Sequence, residues 1–143
     1  MGDKMNQKSR SELRINIMNI LYQISIYKMR HINYNVDDII KENVEIDSEF
    51  VKDIVYGVIT NEDEIVKQAN TYLNGWTIDR LGFTDQAILK IAIYEFLYTD
   101  TPKIVCINEA IELAKKYSDD EVRKMINASL DKLYHKLEEK NGQ

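Results

Sequence analysis

The amino-acid sequence predicts an all-α fold, and three observations lead to that prediction. Its 143 residues include one proline and five glycines, too few for an all-β sandwich, which needs a turn signal about every 8–12 residues. Apolar residues recur at helical spacing in every long segment. Residues 104–107 are rich in β-branched side chains, but this run is too short for a strand and has no second run to pair with.

The first helix is predicted to begin at Ser9. Ser9 and Glu12 have the spacing of a capping box, in which each side chain satisfies a free backbone N–H at the helix start. The stripe that follows is apolar up to its last member and consists of Leu13, Ile17, Ile20, Leu21, Ile24 and Lys28. Arg10 and Arg14 are four residues apart, so we expect them on one face, beside the stripe rather than within it. The polar residues 1–8 show no periodicity and are predicted to be disordered.

The acidic middle of the chain predicts a short helix followed by a long one. Asn35 is placed to cap a helix over residues 36–42, whose early acids suit the positive end of a helix dipole. The next helix is predicted to begin at Asp47 or Ser48 and to continue unbroken to Asn74-Gly75, a helix-stop signal. Gly57 lies inside that helix, where it costs about 1 kcal/mol relative to alanine. We therefore expect Gly57 to permit a close crossing of two helices.

A short turn over residues 77–81 leads to the most apolar segment of the chain. Thr84 is expected to cap a helix over residues 85–98, which is apolar almost all round. A helix of this kind is buried on several sides, so the segment is predicted to form the centre of the molecule. Trp76 and Tyr94 are expected to pack in the core or at a hinge.

Two further helices are predicted in the C-terminal part. Pro102 stops the central helix, and the following helix is predicted over residues 104–117. Ser118 and Glu121 repeat the capping-box spacing and predict the start of a last amphipathic helix. With the short turn included, the sequence predicts about seven helical elements.

The formal net charge of −5 is unevenly distributed along the chain. Residues 1–30 carry six lysines and arginines against two acids, a net charge of +4. Residues 31–102 carry five against fourteen, and residues 103–143 carry eight of each. A basic head on an acidic body is one sign of contact with a polyanion. Lysines that merely solvate a frayed terminus would give the same pattern, and charge alone leaves both interpretations open.

The sequence contains none of the common signatures of an enzyme site. It has no glycine-rich phosphate loop and no G-x-S-x-G motif. His31 and His135 lie far apart in the sequence, and neither a metal site nor a cofactor is predicted. Glu109 and Glu112 could pair as acid and base, although a polar helix face, or a buried hydrogen-bonding role for Glu109, is more typical. Cys106 lies in an apolar run and is predicted to be a core residue.

Membrane and export signals are also absent from the sequence. No apolar run reaches the roughly 18–20 residues of a membrane helix. Residues 1–10 are polar and lack the apolar segment of a signal peptide. We therefore expect a cytoplasmic protein without a membrane contact.

Three stretches carry a resemblance to a known family. They read ILKIAIYE at residues 88–95, PKIVCINEAIELAKKY at residues 102–117 and KMINASLDK at residues 124–132, and upstream lie LYQ at residues 21–23 and GVITN at residues 57–61. In this order and spacing they closely resemble the NusB family of bacterial transcription antitermination factors. The resemblance covers about residues 9–135, and INEAIELAK is its most specific run.

The resemblance implies both an architecture and a function. It implies one helical domain over residues 9–140, built as about seven helices in two packed sub-bundles, about residues 9–75 and 76–140. It implies a non-enzymatic protein that pairs with NusE, a small-subunit ribosomal protein. The pair would bind the boxA element of nascent RNA and support RNA polymerase processivity within the antitermination complex, notably on ribosomal RNA operons.

Individual residues match the family's contact positions. The residues implied in RNA binding are Arg10 and Arg14 of the first helix, and Glu121, Lys124 and Met125 at the start of the last helix. Tyr22 and Asp85 are implied in binding NusE. Ser11 and Glu12 stand where basic residues are expected, and Met125 stands where an aromatic residue is common.

These departures from the family pattern suggest an alternative function. The acidic body and the thin arginine cluster favour a helical protein-interaction module with reduced or lost RNA binding. A NusB-like domain fused to an RNA methyltransferase is a weaker possibility, because the chain is too short for the second domain and lacks its glycine motif. The choice between monomer and homodimer remains open.

Overall fold

A computed structural model describes residues 8–141, and within that range the chain forms seven α-helices, one short 3-10 helix and no strand. The helices are α1 (Arg10–Met29), α2 (Val36–Asn43), α3 (Glu49–Thr60), α4 (Glu62–Tyr72), the 3-10 turn Ile78–Arg80, α5 (Phe83–Tyr98), α6 (Lys103–Tyr117) and α7 (Asp120–Asn141). The predicted all-α class is confirmed. Apart from Lys8, the tail predicted to be disordered lies outside the described residues.

Helix α5 forms the centre of the molecule, as its all-round apolar sequence predicts. It packs against α1, α3, α4, α6 and α7. Nine of its side chains are buried, namely Ala87, Ile88, Leu89, Ile91, Ala92, Ile93, Tyr94, Glu95 and Phe96. Each large aliphatic side chain buried in this way stabilises the fold by about 1.5–3 kcal/mol relative to its exposure to water.

The crossing of α3 and α5 depends on Gly57, which confirms the role expected of this glycine. A Cβ atom at this position would collide with the ring of Tyr94. The Tyr94 hydroxyl donates a hydrogen bond to Asp53 Oδ1 at 3.0 Å. Burial, together with this bond, raises the pKa of Tyr94 to about 12, so the hydroxyl stays a donor at physiological pH.

The single long helix predicted before Asn74-Gly75 is wrong, because the chain bends at Asn61. The backbone N–H of Asn61 donates to the Gly57 carbonyl at 3.0 Å, and its side-chain Nδ2 donates to the same oxygen at 2.8 Å. Asn61 thereby ends α3 as its C-cap and stands as the N-cap of α4. Three acids in the first turn of α4 suit the positive end of the new helix dipole.

Two predicted caps are corrected by the structure, and two are confirmed. Gly82, not Thr84, is the N-cap of α5, which begins at Phe83. Ser118 does not cap α7, because the N–H of Val122 donates to Asp119 Oδ1 at 2.8 Å. The capping box of Ser9 and Glu12 and the Asn35 cap of α2 are both present.

The helices share one continuous core, which includes side chains from α1 to α7. Helix α1 packs on α2, α3 and α5, while α6 lies between α5 and α7. Helix α4 contacts both α5 and α7, so packing continues across the boundary near residue 75. The division into two sub-bundles at that boundary stays a prediction.

Candidate functional site

The expectation that Arg14 flanks the apolar stripe of α1 is wrong. Its side chain is only 3% exposed and faces Glu95 of α5, which is 1% exposed. Arg14 Nε donates to Glu95 Oε1 at 2.7 Å and Nη2 donates to Oε2 at 2.8 Å, a two-pronged arrangement. Planar guanidinium and carboxylate groups match each other in this geometry. Arg14 is therefore a core residue, with only 3% of its side chain exposed.

Glu109 of α6 completes the polar cluster around Arg14. Its Oε1 atom lies 3.6 Å from Arg14 Nη1 and accepts a hydrogen bond of 2.5 Å from Ser11 Oγ. Burial alone would lower the pKa of Arg14, but the hydrogen bond and charge of Glu95, with the charge of Glu109, raise it above its ordinary value. The cluster joins α1, α5 and α6, and Glu109 has the hydrogen-bonding role considered for it from the sequence, although its side chain is half-buried rather than buried.

Arg10 remains at the surface, at the edge of a cavity of about 610 Å³ that we call the α1 groove. The groove is lined by Arg10, Arg14, Glu49, Phe50, Asp53, Ile54, Thr99, Asp100, Thr101, Pro102, Val105 and Glu109. The Arg10 guanidinium lies over the Phe50 ring, 4.7 Å from its centroid. Four acids and two arginines line the groove, so its net charge is unfavourable for a polyanion.

The other predicted RNA residues line a second cavity of about 400 Å³, which we call the α7 pocket. Its lining residues are Tyr72, Leu73, Asn74, Trp76, Glu121, Lys124, Met125, Ala128 and Lys132. Two lysines and one acid give the lining a net charge of +1, in a chain whose net charge is −5. Lys124 and Lys132 are exposed, whereas Met125 is half-buried. This pocket therefore combines positive charge with apolar and aromatic surface.

A tight turn after α4 brings Trp76 to the α7 pocket. The backbone N–H of Trp76 donates to the Leu73 carbonyl at 2.6 Å. The two intervening residues, Asn74 and Gly75, have φ angles of +23° and +86°. Glycine adopts such positive angles without strain. The Arg80 guanidinium lies over the indole, 4.7 Å from its centroid. Trp76 is 40% exposed and lies in the link between α4 and the 3-10 turn, so of the two places expected for it the core is wrong and the hinge stays a prediction, whereas Tyr94 is buried as expected.

The predicted partner residues lie around the start of α5. Tyr22 of α1 is 41% exposed and meets Phe83 edge to face, with ring centroids 6.4 Å apart. Phe83 begins the first turn of α5, and the same turn carries the half-buried Asp85. The structure thus brings Tyr22 against the turn that carries Asp85, although the two residues are 63 positions apart in the sequence.

A three-residue ion-pair network joins α1, α4 and α5. Glu62 Oε1 is 2.9 Å from Lys90 Nζ of α5, and Glu62 Oε2 is 3.5 Å from Lys28 Nζ of α1. Burial would raise the pKa of Glu62, but the hydrogen bond from Lys90 and the charges of both lysines lower it below its ordinary value. The network holds the start of α4 against two other helices.

The remaining candidates for chemistry are ordinary structural groups. Cys106 is buried, and burial together with the nearby Glu95 charge raises the pKa of its thiol to about 12, as suits a core residue. Glu112 is exposed and pairs with Lys115. Among residues 8–140, no group of three His, Cys, Asp or Glu side chains has the arrangement of a metal site. No helix in the described part of the chain is long and apolar enough to cross a membrane.

The structure thus divides the predicted RNA residues among three places. Glu121, Lys124 and Met125 share the α7 pocket, Arg10 lines the α1 groove, and Arg14 lies in the core. The sequence did not indicate that Trp76 and Lys132 line the α7 pocket, or that Phe83 lies against Tyr22. The Asn74-Gly75 turn signal was visible, but nothing in the sequence showed that it would direct the indole towards α7.

Comparisons with known proteins place this arrangement in a family. The model of the NusB family matches residues 11–135. Transcription antitermination protein NusB of Staphylococcus aureus strain JH9 is 39% identical over 126 residues, which cover 87% of this chain and 98% of that protein. NusB of Staphylococcus aureus strain Newman gives the same figures.

Solved structures agree with the helical arrangement. NusB of T. maritima has a TM-score of 0.74 and 29% sequence identity, covering 88% of this chain and 90% of its own. A chain in the crystal structure of antitermination factors NusB and NusE in complex with dsRNA has a TM-score of 0.73 and 24% identity, covering 88% of this chain and 96% of its own. At 24% identity, the match to the chain in the NusB–NusE–dsRNA structure shows a shared fold.

Proposed function

The chain belongs to the NusB family, and on this premise we propose that it is a transcription antitermination factor that pairs with NusE and binds boxA RNA. In this role it supports the processivity of RNA polymerase, notably on ribosomal RNA operons, by binding rather than by catalysis. Its relatives in Staphylococcus aureus are transcription antitermination proteins and are matched over 98% of their length.

One observation carries the RNA-binding part of the proposal, namely the composition of the α7 pocket. Phosphate contacts supply most of the affinity of proteins for RNA, and apolar or aromatic surfaces hold unstacked bases. The α7 pocket supplies both, through Lys124 and Lys132 and through the surfaces of Trp76 and Met125. The α1 groove is net acidic, so Arg10 adds a peripheral contact there.

The surface formed by Tyr22 and Asp85, which we call the partner face, supports pairing with NusE. The exposed Tyr22 ring and the adjoining Asp85 combine an aromatic anchor with a negative charge, and a basic ribosomal protein is complementary to both. The structural neighbour that contains NusB and NusE together with RNA is consistent with such a pair.

We expect tight RNA binding to require NusE. Arg10, Lys124 and Lys132 are three candidate phosphate contacts, and each contact to single-stranded RNA contributes about −0.7 to the slope of log affinity against log salt. Three contacts give a slope of about −2, which is shallow for a protein that must hold RNA on an acidic body. NusE would supply the remaining positive charge.

A filter-binding assay with boxA RNA tests the proposal. The chain with NusE should retain boxA RNA better than a scrambled RNA of equal length, and better than the chain alone. Asp85→Lys should weaken binding to NusE, measured by calorimetry, by more than it weakens RNA binding of a pair already assembled at saturating NusE.

The same assay distinguishes the alternative function. The burial of Arg14 removes one of two arginines from the predicted RNA surface of α1, and this favours a protein-interaction module with reduced or lost RNA binding. Such a module would bind NusE with normal affinity while the pair retained no RNA. That result would contradict the RNA-binding part of the proposal.

A further inference from the structure

We propose that Trp76 is the stacking platform for one unpaired base of the bound RNA, and that Lys124 and Lys132 neutralise the phosphates beside that base. This inference rests on the proposed function, because it assigns a ligand chemistry to the α7 pocket. It adds a residue from the turn after α4 to a surface otherwise expected on α7.

The shape and exposure of the pocket suit a nucleobase. Its volume of about 400 Å³ lies within the range of about 300–1,000 Å³ typical of small-molecule sites. Trp76 is 40% exposed although it is the largest apolar side chain of the protein. An indole left partly open beside a cavity provides the flat surface on which any base can stack.

The local structure fixes the indole in place before RNA arrives. The Leu73–Trp76 hydrogen bond of 2.6 Å closes the turn, and the Arg80 guanidinium lies over the ring at 4.7 Å. A side chain held in this way loses little conformational entropy on binding. Asn74 also lines the pocket, and its side-chain amide can donate and accept hydrogen bonds at a base edge.

The charges of the pocket select an RNA strand over an apolar ligand. Lys124 and Lys132 are exposed, and no ion pair involves either of them among the residues that the structure describes. Glu121 is the one acid of the lining. Met125 stands where an aromatic residue is common in the family, and Trp76 supplies an aromatic ring in the same pocket. The pocket therefore offers an aromatic surface for a base although Met125 itself is not aromatic.

The single tryptophan of the chain makes this inference directly measurable. The chain and NusE are titrated with a synthetic single-stranded boxA RNA, and the fluorescence difference between the wild-type pair and a Trp76→Phe pair isolates the Trp76 signal. Stacking predicts quenching of that signal with the same dissociation constant that filter binding gives. RNAs in which one nucleotide at a time is made abasic should identify one position whose base is required for the quenching.

Variants provide the second measurement. Trp76→Ala should weaken RNA binding by the pair about 5- to 150-fold, the range for one base–aromatic stack, and Trp76→Phe should restore most of the affinity. For Trp76→Ala, removal of the stacked base should cause no further loss. Tyr117→Ala is the matched control, because Tyr117 is exposed on α6 and does not line the pocket. Circular dichroism checks that each variant is folded.

The possible outcomes separate this inference from the proposed function. The stacking role alone would be overturned by three results together. The wild-type pair binds RNA without quenching of Trp76, Lys124→Ala weakens that binding, and Trp76→Ala does not. If the wild-type chain binds NusE but the resulting pair binds no RNA, both the stacking role and the RNA-binding part of the proposed function would be overturned. Quenching that disappears with one abasic position, together with rescue by phenylalanine, would establish the platform.

Discussion

At the scale of single residues, the main finding is that the two arginines of α1 have different roles. Arg10 is exposed over Phe50, whereas Arg14 is enclosed with Glu95 in the core. Their four-residue spacing predicts one shared face of the helix, and both guanidinium groups do lie over the Phe50 ring. The sequence could not show that Glu95, 81 positions away, would lie opposite Arg14, because long-range pairing depends on how α1 and α5 cross.

The enclosed pair leads to a prediction about stability. Removing one partner, by Arg14→Ala or Glu95→Gln, leaves the other without its full set of partners in the core and should lower the free energy of unfolding by about 3–5 kcal/mol. The double variant Arg14→Met/Glu95→Leu should be far less destabilised than the sum of the two single variants. Urea denaturation of all of these proteins measures the effect.

Arg10→Ala is the matched control for these variants. Arg10 lies at the surface on the same helix, so its replacement should change the free energy of unfolding by no more than about 0.5 kcal/mol. If the Arg14→Ala variant is as stable as the wild type but binds RNA more weakly, Arg14 contributes to RNA binding and its structural role is refuted.

At the scale of helices, α7 shows how a cap can be misassigned by one residue. Ser118 fits the capping-box spacing, yet Asp119 accepts the hydrogen bond from the Val122 N–H. Ser118 instead ends α6, where its N–H donates to the Ala114 carbonyl at 2.9 Å. Its Oγ atom is buried and has no hydrogen-bond partner within the described residues.

Alanine substitutions at these neighbours should therefore have opposite consequences. Asp119→Ala should lower the free energy of unfolding by about 0.5–2 kcal/mol, the usual cost of a lost N-cap. Ser118→Ala removes only an unsatisfied hydroxyl and should be neutral or slightly stabilising. Thermal unfolding of the two variants measures the difference. A larger loss of stability for Ser118→Ala than for Asp119→Ala would show that Ser118 is the N-cap of α7.

The start of α4 gives a prediction about pH. The pKa of Glu62 is lowered by Lys90 and Lys28 despite its burial, so the unfolded chain binds a proton at Glu62 more readily than the folded one. The resulting stabilisation is complete above the ordinary glutamate pKa of 4.5 and is lost as the pH falls through the lower pKa of the folded state. The stability advantage of the wild type over Glu62→Gln should therefore shrink towards acidic pH.

Urea denaturation of both proteins from about pH 7 to about pH 3 tests this expectation. Asp63→Asn, an exposed change in the same turn, is measured alongside as the control for the loss of an acid that is not part of the ion-pair network. An advantage of the wild type that stays constant, or that grows as the pH falls, would show that the ion pairs do not act in this way.

The success of the sequence-based prediction also depends on scale. Periodicity and stop signals located the core of each helix, because these are local properties of the chain. The bend at Asn61 was missed, since the apolar pattern continues through it and gives no sign of the hydrogen bond from the Asn61 side chain to the Gly57 carbonyl. The α7 pocket was missed for another reason, because it joins the end of α4 to α7, about 50 residues later.

At the scale of the whole molecule, the net charge conceals the distribution that matters for RNA. The basic head suggested an RNA contact at the start of α1, but the groove beside Arg10 is lined by four acids. The α7 pocket is net positive although the C-terminal part of the chain is neutral overall. We therefore place the proposed RNA contact at the start of α7, in the pair with NusE.

The most direct test of this claim is the salt dependence of boxA RNA binding by the pair with Lys124→Ala. We predict weaker binding and a slope of log affinity against log salt that is less steep than that of the wild type by about 0.7, the value for one lost phosphate contact on single-stranded RNA. Lys41→Ala, an exposed change on α2, should leave both quantities unchanged. Unchanged affinity and unchanged slope for Lys124→Ala would contradict the placement of the RNA at the α7 pocket.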